Sequence, residues 1–102
     1  MKIGAVERQQ RLIDCAMVEM ELVLVFTRIA LRRMQRGDYA RSDRSLDLAR
    51  AELAVVKRAE SEITDTGVRR RIHDLAFEFD GVLHCLDHYR VQSSVPESHS
   101  LR

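Results

Sequence analysis

The stretch that decides the fold lies between Leu12 and Met34 and reads LIDCAMVEMELVLVFTRIALRRM. It is too apolar for a surface helix that buries a single stripe, because such a helix shows an apolar arc only a little over about 100° wide. It is also too charged for a membrane span of about 20 apolar residues, since its longest uncharged run covers only residues 22–27. The pattern therefore predicts a helix at the centre of a helical assembly.

The flanking sequence predicts two more helices joined by short turns. Gly37 suits the left-handed conformation that ends a helix, and Asp38 is suited to cap the next one by accepting backbone N–H groups. Residues 64–67, Thr-Asp-Thr-Gly, form the second predicted connector, with two candidate caps. Short connections make neighbouring helices antiparallel. The predicted fold is all-α, an up-down-up three-helix bundle over residues 1–91 with helices at 5–36, 39–63 and 68–90, followed by a disordered tail at 92–102.

Helical periodicity also predicts the core. The first helix carries two apolar faces, one of Ile13, Met17, Met20, Leu24 and Leu31 and one of Cys15, Leu22, Phe26 and Ile29. The predicted inner stripes of the other helices are Leu46, Ala49, Leu53, Val56 and Ile63, and Ile72, Leu75, Ala76, Phe79, Val82, Leu83 and Leu86.

The two cysteines are expected to be reduced. In the predicted topology, Cys15 and Cys85 lie about 20 Å apart along the bundle axis, whereas a disulfide requires Cα atoms within about 7 Å. We therefore expect both to be buried as small hydrophobic residues.

Composition limits the classes of function. The chain has 102 residues, of which 45% are hydrophobic and 32% charged, as in one globular domain. Its net charge of +1 gives no support to nucleic-acid binding. The opening residues, MKIGAVERQQ, lack the apolar segment of a signal peptide. We expect a cytoplasmic protein without a membrane anchor and without a cofactor.

The first predicted corner resembles a known helical repeat. The second half of a tetratricopeptide repeat carries glycine, an aromatic residue, a small residue, a bulky residue and alanine at fixed spacing. The same types occur at that spacing here, in Gly37, Tyr39, Ser42, Leu46 and Ala49. Phe26, Ile29 and Ala30 match its first helix. The three-helix layout also looks like microtubule-interacting-and-trafficking domains. The chain departs from the repeat at Ser42, where alanine is preferred, and at Ala54, where proline is frequent. The resemblance implies a helical hairpin and, by fold analogy, peptide binding.

The surplus apolar surface of the first helix predicts self-association. Exposed apolar patches usually mark association sites, and two-fold pairing is the commonest oligomer geometry. The predicted interface with a second copy consists of Val18, Leu22 and Val25, with Cys15 and Ile29 at its edges. The alternative is that the other two helices cover this surface. The sequence thus favours a non-enzymatic interaction or adaptor module, a homodimer that recognises a partner helix by apolar contact.

Two other functions remain open. The first is an anion- or RNA-binding regulator that uses two arginine clusters, although few exposed aromatic residues are expected for base stacking. These clusters are Arg32, Arg33 and Arg36, and Arg69, Arg70 and Arg71. The alternative role for such arginines is salt bridging, for example between Arg70 and Asp74 at a spacing of four.

The second is a metal protein. Asp80, His84 and His88 are four residues apart, so they share one helix face, and two histidines at that spacing can chelate zinc with a carboxylate as third ligand. The alternative is that these side chains flank the core and face water or a neighbouring charge.

Catalysis has little support in the sequence. There is no glycine-rich phosphate loop. His84 and Cys85 are adjacent, but neighbouring helical side chains point about 100° apart and do not form a dyad. We therefore predict no catalytic residues.

Overall fold

A computed structural model describes residues 2–93 as three helices: α1 (Lys2–Gln35), α2 (Tyr39–Glu62) and α3 (Thr66–Ser93). No strand occurs among these residues. The prediction of an all-α three-helix bundle is confirmed. Helix α3 continues two residues into the predicted tail, and residues 94–102 lie outside the described part.

The first corner ends α1 with a Schellman motif. Gly37 has φ +77°, and its amide donates to the carbonyl of Met34 at 3.0 Å. The amide of Asp38 donates to the carbonyl of Arg33 at 2.8 Å, which completes the pair of bonds that defines the motif. The Asp38 carboxylate then accepts from the backbone N of Arg41 at 3.4 Å and caps α2. Both predicted roles at this corner are confirmed.

The second corner is shorter than predicted. Asp65 caps α3 by accepting from the backbone N of Val68 at 3.0 Å. The helix begins at Thr66, so the prediction that Gly67 belongs to the connector is wrong. Gln9 of α1 clamps this corner, because its amide nitrogen donates to the carbonyl of Glu62 at 3.0 Å and its amide oxygen accepts from the backbone N of Thr64 at 2.9 Å.

Helices α1 and α2 form the principal interface of the fold. Ser42 donates its hydroxyl hydrogen bond to the carbonyl of Ala30 at 2.9 Å, which fixes the register of the antiparallel pair near the first corner. Small side chains allow the two backbones to approach closely, and bulkier residues of α2 fill the space between them. The predicted inner stripe of α2 is confirmed, since Leu46, Ala49, Leu53, Val56 and Ile63 are all buried.

Helix α3 packs chiefly on α2 and contacts α1 much less. A ladder of polar pairs joins α3 to α2: Arg90 to Asp43, Arg50 to Asp87, Lys57 to Asp80, and His73 to Glu60. Ile72, Ala76 and Leu83 are buried and Leu75, Phe79 and Leu86 are half-buried, whereas Val82 is exposed. The core prediction for Val82 is wrong, because α1 and α3 do not close over it.

Candidate association surface

The predicted interface on α1 forms a continuous apolar line. Val18, Leu22, Val25 and Ile29, which we call the outer seam, are spaced alternately by four and three residues. This spacing keeps side chains on one side of a helix and is typical of a coiled-coil seam. The seam covers about 16 Å of helix at about 1.5 Å per residue.

The fold leaves the outer seam partly open to solvent. Val18 is 55% exposed and Val25 45% exposed, while Leu22 and Ile29 are half-buried. Helix α1 turns a different face to α2, formed by Ala16, Met20, Val23, Thr27, Ala30 and Met34. Helices α2 and α3 therefore cover the predicted interface only in part.

Two apolar or aromatic side chains of α3 are also exposed. Asp80 and Asp87 pair with α2, and Val82 and Tyr89 each lie two residues further along, about 200° around the helix. They therefore turn away from α2. Both are about half exposed, at 45% and 51%.

A second apolar line lies about 130° around α1 from the outer seam. Met17, Leu24 and Leu31, which we call the back stripe, are seven residues apart and exposed. In the register set by Ser42 and Ala30, Leu24 lies level with Leu48 of α2, which is exposed as well. The expectation that the back stripe belongs to the core is wrong, because the side of α1 that packs on α2 is centred on Ala16, Val23 and Thr27.

Charged residues flank the outer seam in two blocks. Asp14, Glu19 and Glu21 lie beside its N-terminal half, with Arg11 one heptad before Val18, and Arg28, Arg32 and Arg33 lie beside its C-terminal half. Arg33 bends back onto α2, where it donates to the hydroxyl of Ser45 at 2.9 Å. Among residues 2–93, Glu21, Arg28 and Arg32 make no ion pair or side-chain hydrogen bond.

The structure does not bring the two arginine clusters together. Arg32, Arg33 and Arg36 lie at the first corner, and residues 69–71 lie at the second. The 24 residues of α2 separate these corners by about 36 Å. Within the second cluster, consecutive side chains point about 100° apart and do not converge on one anion. The suggested pair of Arg70 with Asp74 is not among the ion pairs of the described residues.

The three metal-ligand candidates have other neighbours. Asp80 pairs with Lys57, and His88 lies 3.1 Å from the side-chain amide of Gln92. His84 is exposed. Across the described part of the chain, no group of three or more His, Cys, Asp or Glu side chains is arranged to hold a metal ion.

The cysteines and aromatic residues differ from expectation. Cys15 and Cys85 are free thiols, but both are exposed, so the expectation that they are buried is wrong. Phe77 is 74% exposed and Tyr89 is exposed too, which contradicts the expected lack of exposed aromatics. Phe77 is not part of the predicted stripe of α3, and its place away from the core follows from its helical phase, about 140° from Ile72.

Comparisons with known proteins give no information on the outer seam. Searches against protein-family models, curated proteins and solved structures found no match. None of the three helices, over the residues described, combines the length and apolarity needed to cross a membrane.

Proposed function

We propose that this protein is a non-enzymatic helical interaction module of the cytoplasm that self-associates through α1. The observation that supports this function is the outer seam, an apolar line with coiled-coil spacing that the intrachain packing leaves half open. A helix from a second copy would remove this line from water. Each Val, Leu or Ile that becomes fully buried contributes about 1.5–3 kcal/mol relative to full exposure.

The back stripe is the competing surface, and the chain offers a matched pair of leucines to separate the two. Leu22 and Leu31 are nine residues apart, so they lie on opposite sides of α1. We expect the wild-type protein to be dimeric in light scattering after size exclusion, measured over a wide range of concentrations. Leu22→Asp should give a monomer that keeps its helical circular dichroism, whereas Leu31→Asp should remain a dimer.

Other results would reject this assignment. A wild-type monomer at every concentration would remove self-association and leave the seam for a helix of another protein. Loss of the dimer in Leu31→Asp but not in Leu22→Asp would move the interface to the back stripe. If Leu22→Asp lowers helical content, Val18→Asp gives the same test at a more exposed position.

A further inference from the structure

The charges beside the outer seam favour one orientation of a second copy. In a parallel pair, the acidic block of one α1 would lie beside the acidic block of the other, and the basic blocks would also meet. In an antiparallel pair, each acidic block lies beside the partner's basic block. Like charges at close range oppose association, and complementary ones fix its orientation.

The spacing of the seam also selects a register. Antiparallel helices bury most apolar side chains when Leu22 faces Val25 of the partner subunit and Val18 faces Ile29 of the partner subunit. Two-fold symmetry repeats both contacts, so all four seam residues of each copy are used. A shift by one heptad would place Ile29 against Arg11 of the partner subunit, and only Val18 and Leu22 would still face a branched aliphatic side chain.

In the favoured register, Glu21 lies beside Arg28 of the partner subunit. These positions immediately precede Leu22 and Ile29, so they flank the seam on the same side. Both side chains are exposed and without an ion-pair partner in the part of the chain that the structure describes. They are seven residues apart, too far for the i, i+4 pairing that would engage them within one helix.

We propose that a second copy docks antiparallel on α1, with Leu22 facing the partner's Val25 and Glu21 paired with the partner's Arg28. This inference rests on the proposed self-association and adds the orientation and register of the partner. It also separates the native thiols. Cys15 then faces Arg32 of the partner subunit. The two Cys15 residues therefore lie about 25 Å apart along the axis, beyond the range of a disulfide.

Disulfide trapping in solution tests the orientation directly. Val18→Cys with Ile29→Cys, in a chain that also carries Cys15→Ser and Cys85→Ser, should form a covalent dimer on mild oxidation. The matched control carries Val18→Cys without Ile29→Cys and should stay reduced. A second reporter keeps the native Cys15 and carries only Cys85→Ser. It should not cross-link either, since its thiols meet only in a parallel pair.

A charge exchange tests the register. Glu21→Arg and Arg28→Glu should each raise the dimer dissociation constant about tenfold, because symmetry places each change in two pairs. The double variant should return close to the wild-type value.

The outcomes separate the two proposals. If the wild-type protein is monomeric in light scattering, self-association itself fails. If it is dimeric but Cys15 cross-links, or the double variant is weaker than either single one, self-association stands and the antiparallel register is wrong. A dimer in which neither cysteine reporter cross-links would also overturn the register.

Discussion

The two faces of α1 are both apolar, but only the inner face combines small side chains with large ones. On that face Ala16, Thr27 and Ala30 alternate with Met20, Val23 and Met34, and small residues of α2, such as Ser42 and Ala49, lie against it. The outer seam carries branched aliphatic side chains, yet it stays half open. Close approach of two helices requires small residues along their contact. Burial within this chain therefore follows fit between neighbouring helices, and the surplus of large apolar side chains remains on the outside.

The largest effect on the free energy of unfolding is expected when a bulky residue is introduced into the contact between α1 and α2. Ala49→Leu adds three carbon atoms to a side chain that is 0% exposed, and overpacking of this kind costs about 1–3 kcal/mol. Ala54→Leu, on the exposed side of the same helix, should change the free energy of unfolding by less than about 0.5 kcal/mol. Urea denaturation at one fixed protein concentration measures both. Equal losses in the two variants would mean that the contact is not tightly packed.

Two valines on α1 allow its inner face and its outer seam to be compared directly. Val23 is 0% exposed and Val25 lies on the outer seam. In a Leu22→Asp background, where we expect dimerisation to be absent, Val23→Ala should cost about 2 kcal/mol through lost burial and a residual cavity. Val25→Ala should cost less than about 0.5 kcal/mol there. A similar cost at both positions would show that the seam is buried within one chain.

Much of this organisation could be predicted from the residues. Gly37 and Asp38 located the first corner because a left-handed position and a cap demand particular side chains. The inner stripe of α2 was correct because its apolar residues recur at helical spacing and most of the other positions of α2 are polar or alanine. Both kinds of prediction depend on local chemistry, which a sequence carries directly.

The choice among the apolar lines of α1 could not be predicted in the same way. Hydrophobic periodicity marks Met17, Leu24 and Leu31 as strongly as it marks Met20, and only the position of α2 separates them. The exposure of Val82 has a similar origin, because it depends on how little α3 contacts α1. Among the described residues no three-ligand cluster forms around His84, and Asp80 pairs with Lys57 of α2.

The smallest predicted effect concerns the hydroxyl that joins the two sides of the inner contact. Ser42 is 0% exposed and donates to the carbonyl of Ala30, so Ser42→Ala should cost about 1 kcal/mol in the free energy of unfolding. Ser61→Ala is the matched control, because the Ser61 hydroxyl is exposed and bonds only within its own helix turn, to the carbonyl of Arg58. Denaturation in the same Leu22→Asp background should leave that control within about 0.5 kcal/mol of its parent. A gain in stability for Ser42→Ala would mean that close packing alone holds this corner and that the hydrogen bond adds nothing to it.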